Sequence, residues 1–156
     1  FGTAPTQHIY GQRAALDIMI DEGREKIFRR HKVLAGSVWA ALKKWSQKEV
    51  VLPNIKDEPQ RSTAVTTFRA DGYDLTPLRK WLKLNAGVEL GHGVGFSGLK
   101  YLDGKSVCRV AHMGYLNPVM ILGVIASIEA GLTVCEIPFG KGGSEAAANF
   151  IAKNFN

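Results

Sequence analysis

The stretch Gly91–Gly114, GHGVGFSGLKYLDGKSVCRVAHMG, decides how this chain is read. It is a glycine-spaced loop, then a short β-like run at Ser106–Ala111, then a tight turn at His112-Met113-Gly114. The run carries a single arginine, Arg109, among apolar neighbours. A strand that packs on a core tolerates a charge only with a partner. Arginine is the side chain that grips a carboxylate through two parallel hydrogen bonds. Arg109 is therefore the candidate for holding the carboxylate of an amino or keto acid. The ordinary alternative is an arginine that faces outward from its strand.

The flanks give the fold class. Upstream, Val88–Leu90 reads as a short strand feeding the loop. Before it, Asp74 or Thr76 can cap a helix with Pro77 in its first turn. Leu75, Leu78 and Leu82 line that helix, and Gly87 suits its C′ position. Ser62–Arg69 (STAVTTFR) alternates and is rich in β-branched residues, so it predicts a strand, with Asp71-Gly72 as the following turn. Glu49–Leu52 predicts another short strand, stopped by Pro53. Further back lie two helices. Thr6 can cap the first, in which Ile9, Leu16 and Ile20 share a face; Gly23 interrupts; Arg24–Trp45 keeps the helical period through Ile27, Leu34, Val38, Leu42 and Trp45. Long amphipathic helices at a domain edge bridge domains or subunits.

Downstream, Asn117-Pro118 is a strong helix start, an N-cap followed by proline at N1. The helix Pro118–Ala130 is apolar almost all round and is expected to be buried or to face another chain, with Gly131 ending it. Gly140–Gly143 reads as a flexible hinge, and Ser144 as the cap of a last helix to about Lys153. Helices and short strands without strict βαβ alternation predict an α+β fold, helices on one face of a small, mainly antiparallel sheet. Residues 1–46 form a leading segment with connecting helices, and 47–156 a small domain.

Composition narrows the function classes. The chain has 156 residues, enough for a real core. No apolar run reaches membrane-spanning length, which argues against a membrane role. The two cysteines, Cys108 and Cys135, lack metal-type spacing and read as free buried thiols of a reducing, cytoplasmic compartment. The net charge of +6 permits a nucleic-acid surface. However, the basic residues (Arg29, Arg30, Lys32, Lys43, Lys44, Arg79, Lys80) are spread over helices without interleaved aromatics. Solvated helix faces account for them, so no nucleic-acid partner is expected. The opening FGTAPTQ, with no methionine, reads as the middle of a longer protein.

Two glycine motifs invite a phosphate reading. Gly91-His92-Gly93-Val94-Gly95 is followed by neither a Gly-Lys-Ser/Thr nor a helix, as phosphate and dinucleotide loops require. It fits better as a loop whose backbone passes close to a ligand and positions Arg109. Gly140-Lys141-Gly142-Gly143 fits a hinge. None of the four histidines, His8, His31, His92 and His112, pairs at metal-ligand spacing, and no metal is expected. His112, nearest Arg109, reads as a hydrogen-bonded structural residue.

The run Gly104–Gly114, with Asn117-Pro118 and the apolar helix ending Glu129-Ala130-Gly131-Leu132, resembles the C-terminal domain of class V pyridoxal-phosphate (PLP) aminotransferases. The type is that of the alanine–glyoxylate, serine–pyruvate and serine–glyoxylate enzymes. In that family the strand reads Phe-Arg-Ile-Gly-His and its arginine binds the substrate α-carboxylate. Arg109 matches it, while Cys108 and Ala111 depart from the residues usual beside it. Thr3-Ala4-Pro5-Thr6 with Ile9-Tyr10-Gly11 matches the segment whose threonine touches the cofactor phosphate of the other subunit, a role that falls to Thr3. Ile27–His31 matches the connecting helix, and Gly93-Val94-Gly95 the family's Gly-Leu-Gly loop near the site. The resemblance implies a homodimeric fold-type-I enzyme acting on amino acid and 2-oxo acid substrates, with alanine or serine as donor and glyoxylate or pyruvate as acceptor. It also implies that the cofactor-linking lysine lies upstream of Phe1, so this portion supplies no catalytic residue and is inactive alone. A different class, a stand-alone regulatory domain sensing a small carboxylate through Arg109, is the alternative.

Overall fold

The computed structural model describes residues 2–155. Its elements run α1 (Thr6–Glu22), α2 (Arg24–Trp45), β1 (Val51–Pro53), β2 (Val65–Ala70), α3 (Thr76–Trp81), β3 (Gly91–His92), β4 (Val107–Ala111), α4 (Pro118–Val134) and α5 (Gly143–Asn154). The chain divides into two compact units, Phe1–Arg30 and His31–Asn156.

The first unit holds α1 and the opening turns of α2. Gly23 closes α1 by donating its N–H to the Met19 carbonyl, and Arg30 reaches back to Glu22 with both nitrogens, at 2.6 and 2.7 Å. α1 buries none of its residues. Thr6 is not its cap. The N-cap position falls on Pro5, and the Thr6 hydroxyl donates to the Ala4 carbonyl instead. Phe1 lies outside the described residues; Gly2–Pro5 is non-helical.

The second unit is α+β. Its sheet has the order β1-β2-β4-β3, and every neighbouring pair is antiparallel. β2 alternates in burial, with Thr66, Phe68 and Ala70 inside, as a strand with one face on a core must. Phe68 and Ala70 join Cys108 and Val110 in one apolar cluster with Leu34, Val38 and Leu42 of α2, Leu78 of α3, and Ile121, Ile125, Ile128 and Leu132 of α4. The helices therefore cover one face of the sheet. Trp45 anchors this layer, fully buried and edge-on to Phe68 at 6.1 Å.

Several local expectations hold. Asn117 accepts a hydrogen bond from Met120 N at the start of α4, and Gly87 stands at φ 65° after the π-turn Leu82–Ala86; the α3 N-cap, in contrast, is Leu75 rather than Asp74 or Thr76, although Asp74 accepts from Thr76 N. Others are corrected by packing. The predicted strands begin two or three residues late, at Val51 and Val65, and Pro53 is the last strand residue rather than the stop. Val88–Leu90 is not a strand; pairing to β4 starts at Gly91. Gly131 does not end α4, which runs to Val134. It is a contact point instead, since a Cβ there would lie 2.6 Å from the Leu78 side chain, so α3 seats directly on the α4 backbone. α4 is buried on one stripe only, with Val119 79% exposed.

The Gly140–Gly143 hinge is also corrected. Gly140 and Gly143 are buried, and a Cβ on Gly140 would lie 2.0 Å from the Lys44 carbonyl oxygen. Ser144 is inside α5 rather than its cap, which is Gly142. The α5 N-terminus is closed by Glu129 of α4. Its Oε1 accepts from Gly143 N at 2.7 Å and Trp45 Nε1 at 3.1 Å, and its Oε2 accepts from the N–H and hydroxyl of Ser144. Burial raises the Glu129 pKa, but the hydrogen bonds from Ser144, Gly143 and Trp45 outweigh it and hold the carboxyl below its ordinary value.

Candidate functional site

Arg109 stands in the middle of β4, opposite Thr67 of β2 on one side and Gly91 of β3 on the other. Residues directly opposite one another share a face, so these three lie on the side away from the helices. The side chain lies across Gly91: a Cβ at that position would be 3.1 Å from Arg109 Nε and 3.4 Å from one terminal nitrogen. Glycine at 91 thus makes the room the guanidinium occupies.

The loop after β3 folds back over the start of β4. A Cβ on Gly93 would come within 2.7 Å of the Val107 side chain and 2.8 Å of the Gly104 carbonyl. Only two facing glycines allow that approach, and it buries Val107 on the face opposite the core. The loop is kept in shape by Gly98 N donating to Asp103 at 2.9 Å and by Phe96 edge-on to Tyr101 at 5.1 Å. Val94, 74% exposed, and Phe96 then stand beside Arg109.

Together these pieces line an open cleft of about 330 Å³, with Asn54, Gln60, Arg61 and Thr67 among its polar walls. Two guanidiniums line it and no carboxylate does. Arg61 is committed: it donates to the carbonyls of Ile55 and Lys56 at 2.9 and 3.0 Å and lies 5.8 Å over the Trp39 ring. Arg109 is half-buried, and its buried Nε has no hydrogen-bond partner among the described residues. Desolvating a donor without pairing it costs about 1–3 kcal/mol; Arg79 Nε and Ser106 Oγ are likewise buried and unpaired among the described residues. A carboxylate, planar and doubly accepting, is the matching shape for the Arg109 guanidinium.

The neighbours on β4 serve the core. The Cys108 thiol is buried, which pushes its pKa up to about 11 against the opposing pull of Arg79. Arg79 of α3 donates to the carbonyls of Lys105 and Val107 at the start of the strand. His112 is fully buried, hydrogen-bonded to Thr66 and to the Thr63 carbonyl. Burial, with a smaller push from His31, lowers its pKa and keeps the ring neutral.

Of the residues singled out from sequence, Arg109 and Val94 meet in this cleft, and Gly93 shapes the loop behind them. Gly95 sits in the turn that follows, at φ 84°. Thr3 is exposed and belongs to the other unit. Sequence reading did not find the Arg61–Trp39 stack, since its partners are distant in sequence and neither sits in a motif. It also missed Glu129, whose one signal was an acidic residue in an otherwise apolar helix. Among the described residues no group of His, Cys, Asp and Glu could hold a metal ion, and no helix is long and apolar enough to cross a membrane.

Arg109 thus opens from a helix-backed antiparallel sheet into a cleft that no carboxylate lines. In sequence the chain is similar to part of several glyoxylate aminotransferases, and in fold to part of solved aminotransferase structures. It is 31% identical over 154 residues to the serine–glyoxylate aminotransferase of Methylorubrum extorquens, covering 97% of this chain and 36% of that protein. It is 32% identical over 151 residues to the serine–glyoxylate aminotransferase of Arabidopsis thaliana, covering 94% and 34%. Among solved structures, the ureidoglycine–glyoxylate aminotransferase of Bacillus subtilis superposes with a TM-score of 0.79 at 25% identity over 97% of this chain and 37% of that one. The chain thus spans about a third of the length of the relatives it matches. No protein-family model matches it.

Proposed function

We propose that this chain is the substrate-carboxylate-holding portion of a PLP-dependent aminotransferase. The enzyme transfers an amino group from alanine or serine to glyoxylate or pyruvate, and Arg109 grips the α-carboxylate of each substrate in turn. The observation that carries the reading is the Arg109 guanidinium, its buried Nε unpaired, in a cleft without a carboxylate wall.

The residues of this chain fit the substrate better than the cofactor. No lysine lines the cleft, so the covalent link to the cofactor falls outside it. The exposed Thr3 is the one residue assigned to the cofactor, through its phosphate. When bound, PLP supplies an electron-withdrawing ring that stabilises charge developing at the substrate α-carbon. Arg109 contributes orientation: two parallel hydrogen bonds fix the carboxylate plane and hence which α-carbon bond faces the ring. Val94 and Phe96 form the apolar side of the cleft beside it. A strand holds such a group more steadily than a loop does.

The proposal keeps residues 1–46 as a leading segment with connecting helices ahead of a small domain at 47–156; the exposed Ile9, Tyr10, Ile18, Met19 and Ile20 of α1 favour it for the first part, whereas Leu34, Val38, Leu42 and Trp45 of α2 pack in the core of the small domain. A homodimer in a reducing, cytoplasmic setting, with no nucleic-acid partner, completes the proposal; the two free cysteines favour the reducing setting.

The test is Arg109→Lys in the full-length enzyme. A lysine keeps the charge but loses the fork, so KM for the amino acid rises by about 10²-fold and kcat falls as well. Kinetics that stay near wild type refute the assignment.

A further inference from the structure

β4 is fastened at both ends on its core-facing side, and the fastenings are polar within an apolar layer. At its start, Arg79 holds two carbonyls from α3. At its end, the His112 N–H donates to the Ala64 carbonyl at 2.9 Å. The His112 ring sits with Nδ1 3.0 Å from the Thr63 carbonyl and Nε2 2.8 Å from the Thr66 hydroxyl. The indole N–H of Trp39, on α2, donates to the same Thr66 oxygen at 2.9 Å.

The partners fix every proton in this chain. A carbonyl only accepts, so Nδ1 of His112 carries the hydrogen. Nε2 is then an acceptor, the Thr66 hydroxyl donates to it, and the Thr66 oxygen accepts from Trp39. A fully paired buried chain of this kind specifies one geometry, because any slip leaves a buried group unpaired. Strand pairing alone does not require it.

Its position gives it a use. Arg109 lies three residues before His112, which directly follows β4, and its cross-strand partner Thr67 adjoins Thr66. Trp39 carries the guanidinium of Arg61, the second cation of the cleft, on its ring. Trp39 and His112 do not line the cleft themselves. We propose that the Trp39–Thr66–His112 chain is a positioning device: it locks the slide and twist of β4 so that Arg109 meets the substrate carboxylate with both nitrogens in register. This rests on the role given to Arg109 above. A forked contact is sensitive to such locking, since a displacement of about 1 Å at an orienting group can cost about 10²-fold in rate.

The experiment uses the full-length enzyme and the two halves of serine as competitive inhibitors: 3-hydroxypropionate, which lacks the amine, and ethanolamine, which lacks the carboxylate. Trp39→Phe keeps the ring and removes the N–H; His112→Phe removes both ring nitrogens and is the harsher variant. Trp39→Phe is expected to weaken 3-hydroxypropionate binding by about fivefold, raise the serine KM in step and lower kcat by less than Arg109→Lys does, while ethanolamine binding stays within about twofold. His112→Phe, where it folds, shows the same selectivity with a larger loss. Equal weakening of both inhibitors, or no weakening of either, overturns the proposal. Arg109→Lys is the reference. If it discriminates between the two inhibitors and Trp39→Phe does not, only the positioning role falls. If Arg109→Lys fails to discriminate, the carboxylate assignment falls and takes the positioning role with it.

Discussion

Replacing Glu129 by alanine removes the acceptor for four donors: the Trp45 indole N–H, the Gly143 and Ser144 backbone N–H groups, and the Ser144 hydroxyl. Trp45 and Gly143 are buried and find no water once the carboxylate is gone, whereas Ser144 is partly exposed and can rehydrate. Two buried orphaned donors cost about 1–3 kcal/mol each. The lost anion at the N-terminus of α5 adds about 0.3–1 kcal/mol. The sum is about 2–7 kcal/mol, a large share of a typical domain's stability. For a body of this size that is a fall in Tm of about 10 °C. Tryptophan fluorescence is the assay, because Trp39, Trp45 and Trp81 all lie in the His31–Asn156 unit and report its unfolding. Glu129→Gln keeps an oxygen for Trp45 and Gly143 but turns an amide nitrogen toward Ser144, so its loss falls between wild type and Glu129→Ala. The pH dependence follows from the same contacts. The folded pKa lies below the ordinary 4.5, so the contribution is complete above that value and is lost as pH falls through the lower folded one. Wild type therefore loses stability more steeply than Glu129→Gln below pH 4.5. A Glu129→Ala variant that unfolds within about 1 kcal/mol of wild type would show that water substitutes for the carboxylate and refute the reasoning.

Two further outcomes test the packing. Gly140→Ala forces a Cβ to 2.0 Å from the Lys44 carbonyl oxygen, which backbone cannot yield, and should cost about 3 kcal/mol in denaturant unfolding. Gly142→Ala, two residues on with open space around it but φ +89°, should cost only about 1 kcal/mol; equal losses would contradict a fixed Gly140. In the folded protein iodoacetamide at pH 8 should modify the half-buried Cys135 first. Cys108, buried and with its pKa near about 11, presents about one thiolate in a thousand and should react only on unfolding. Both thiols reacting at one rate would count against that burial.

The local signals were legible wherever the physics is local. Gly23 between two helices, Asn117-Pro118 at the start of α4, and Gly87 after the π-turn each satisfy backbone groups within a few residues, so the amino-acid order alone determines them. The same holds for an arginine inside an apolar β run, and with the family resemblance it pointed to Arg109. What failed depended on partners far along the chain. Gly131 looks like a helix stop in isolation, but α4 continues through it because the helix is carried by burial against α3, where a missing Cβ is an advantage. GKGGS looks like a hinge, yet it is pinned by Trp45 and by a carboxylate from α4. Val88–Leu90 has strand composition, but strand pairing is a matter of register with β4, and register begins at Gly91. The orphaned Nε of Arg109 likewise exists only once Gly91, Thr67 and the 93–104 loop have closed around it. The sequence by itself thus determined the elements and the one charged side chain worth watching. Only the tertiary structure decided which polar groups are paired and which is left open, because pairing joins residues that the chain order keeps apart.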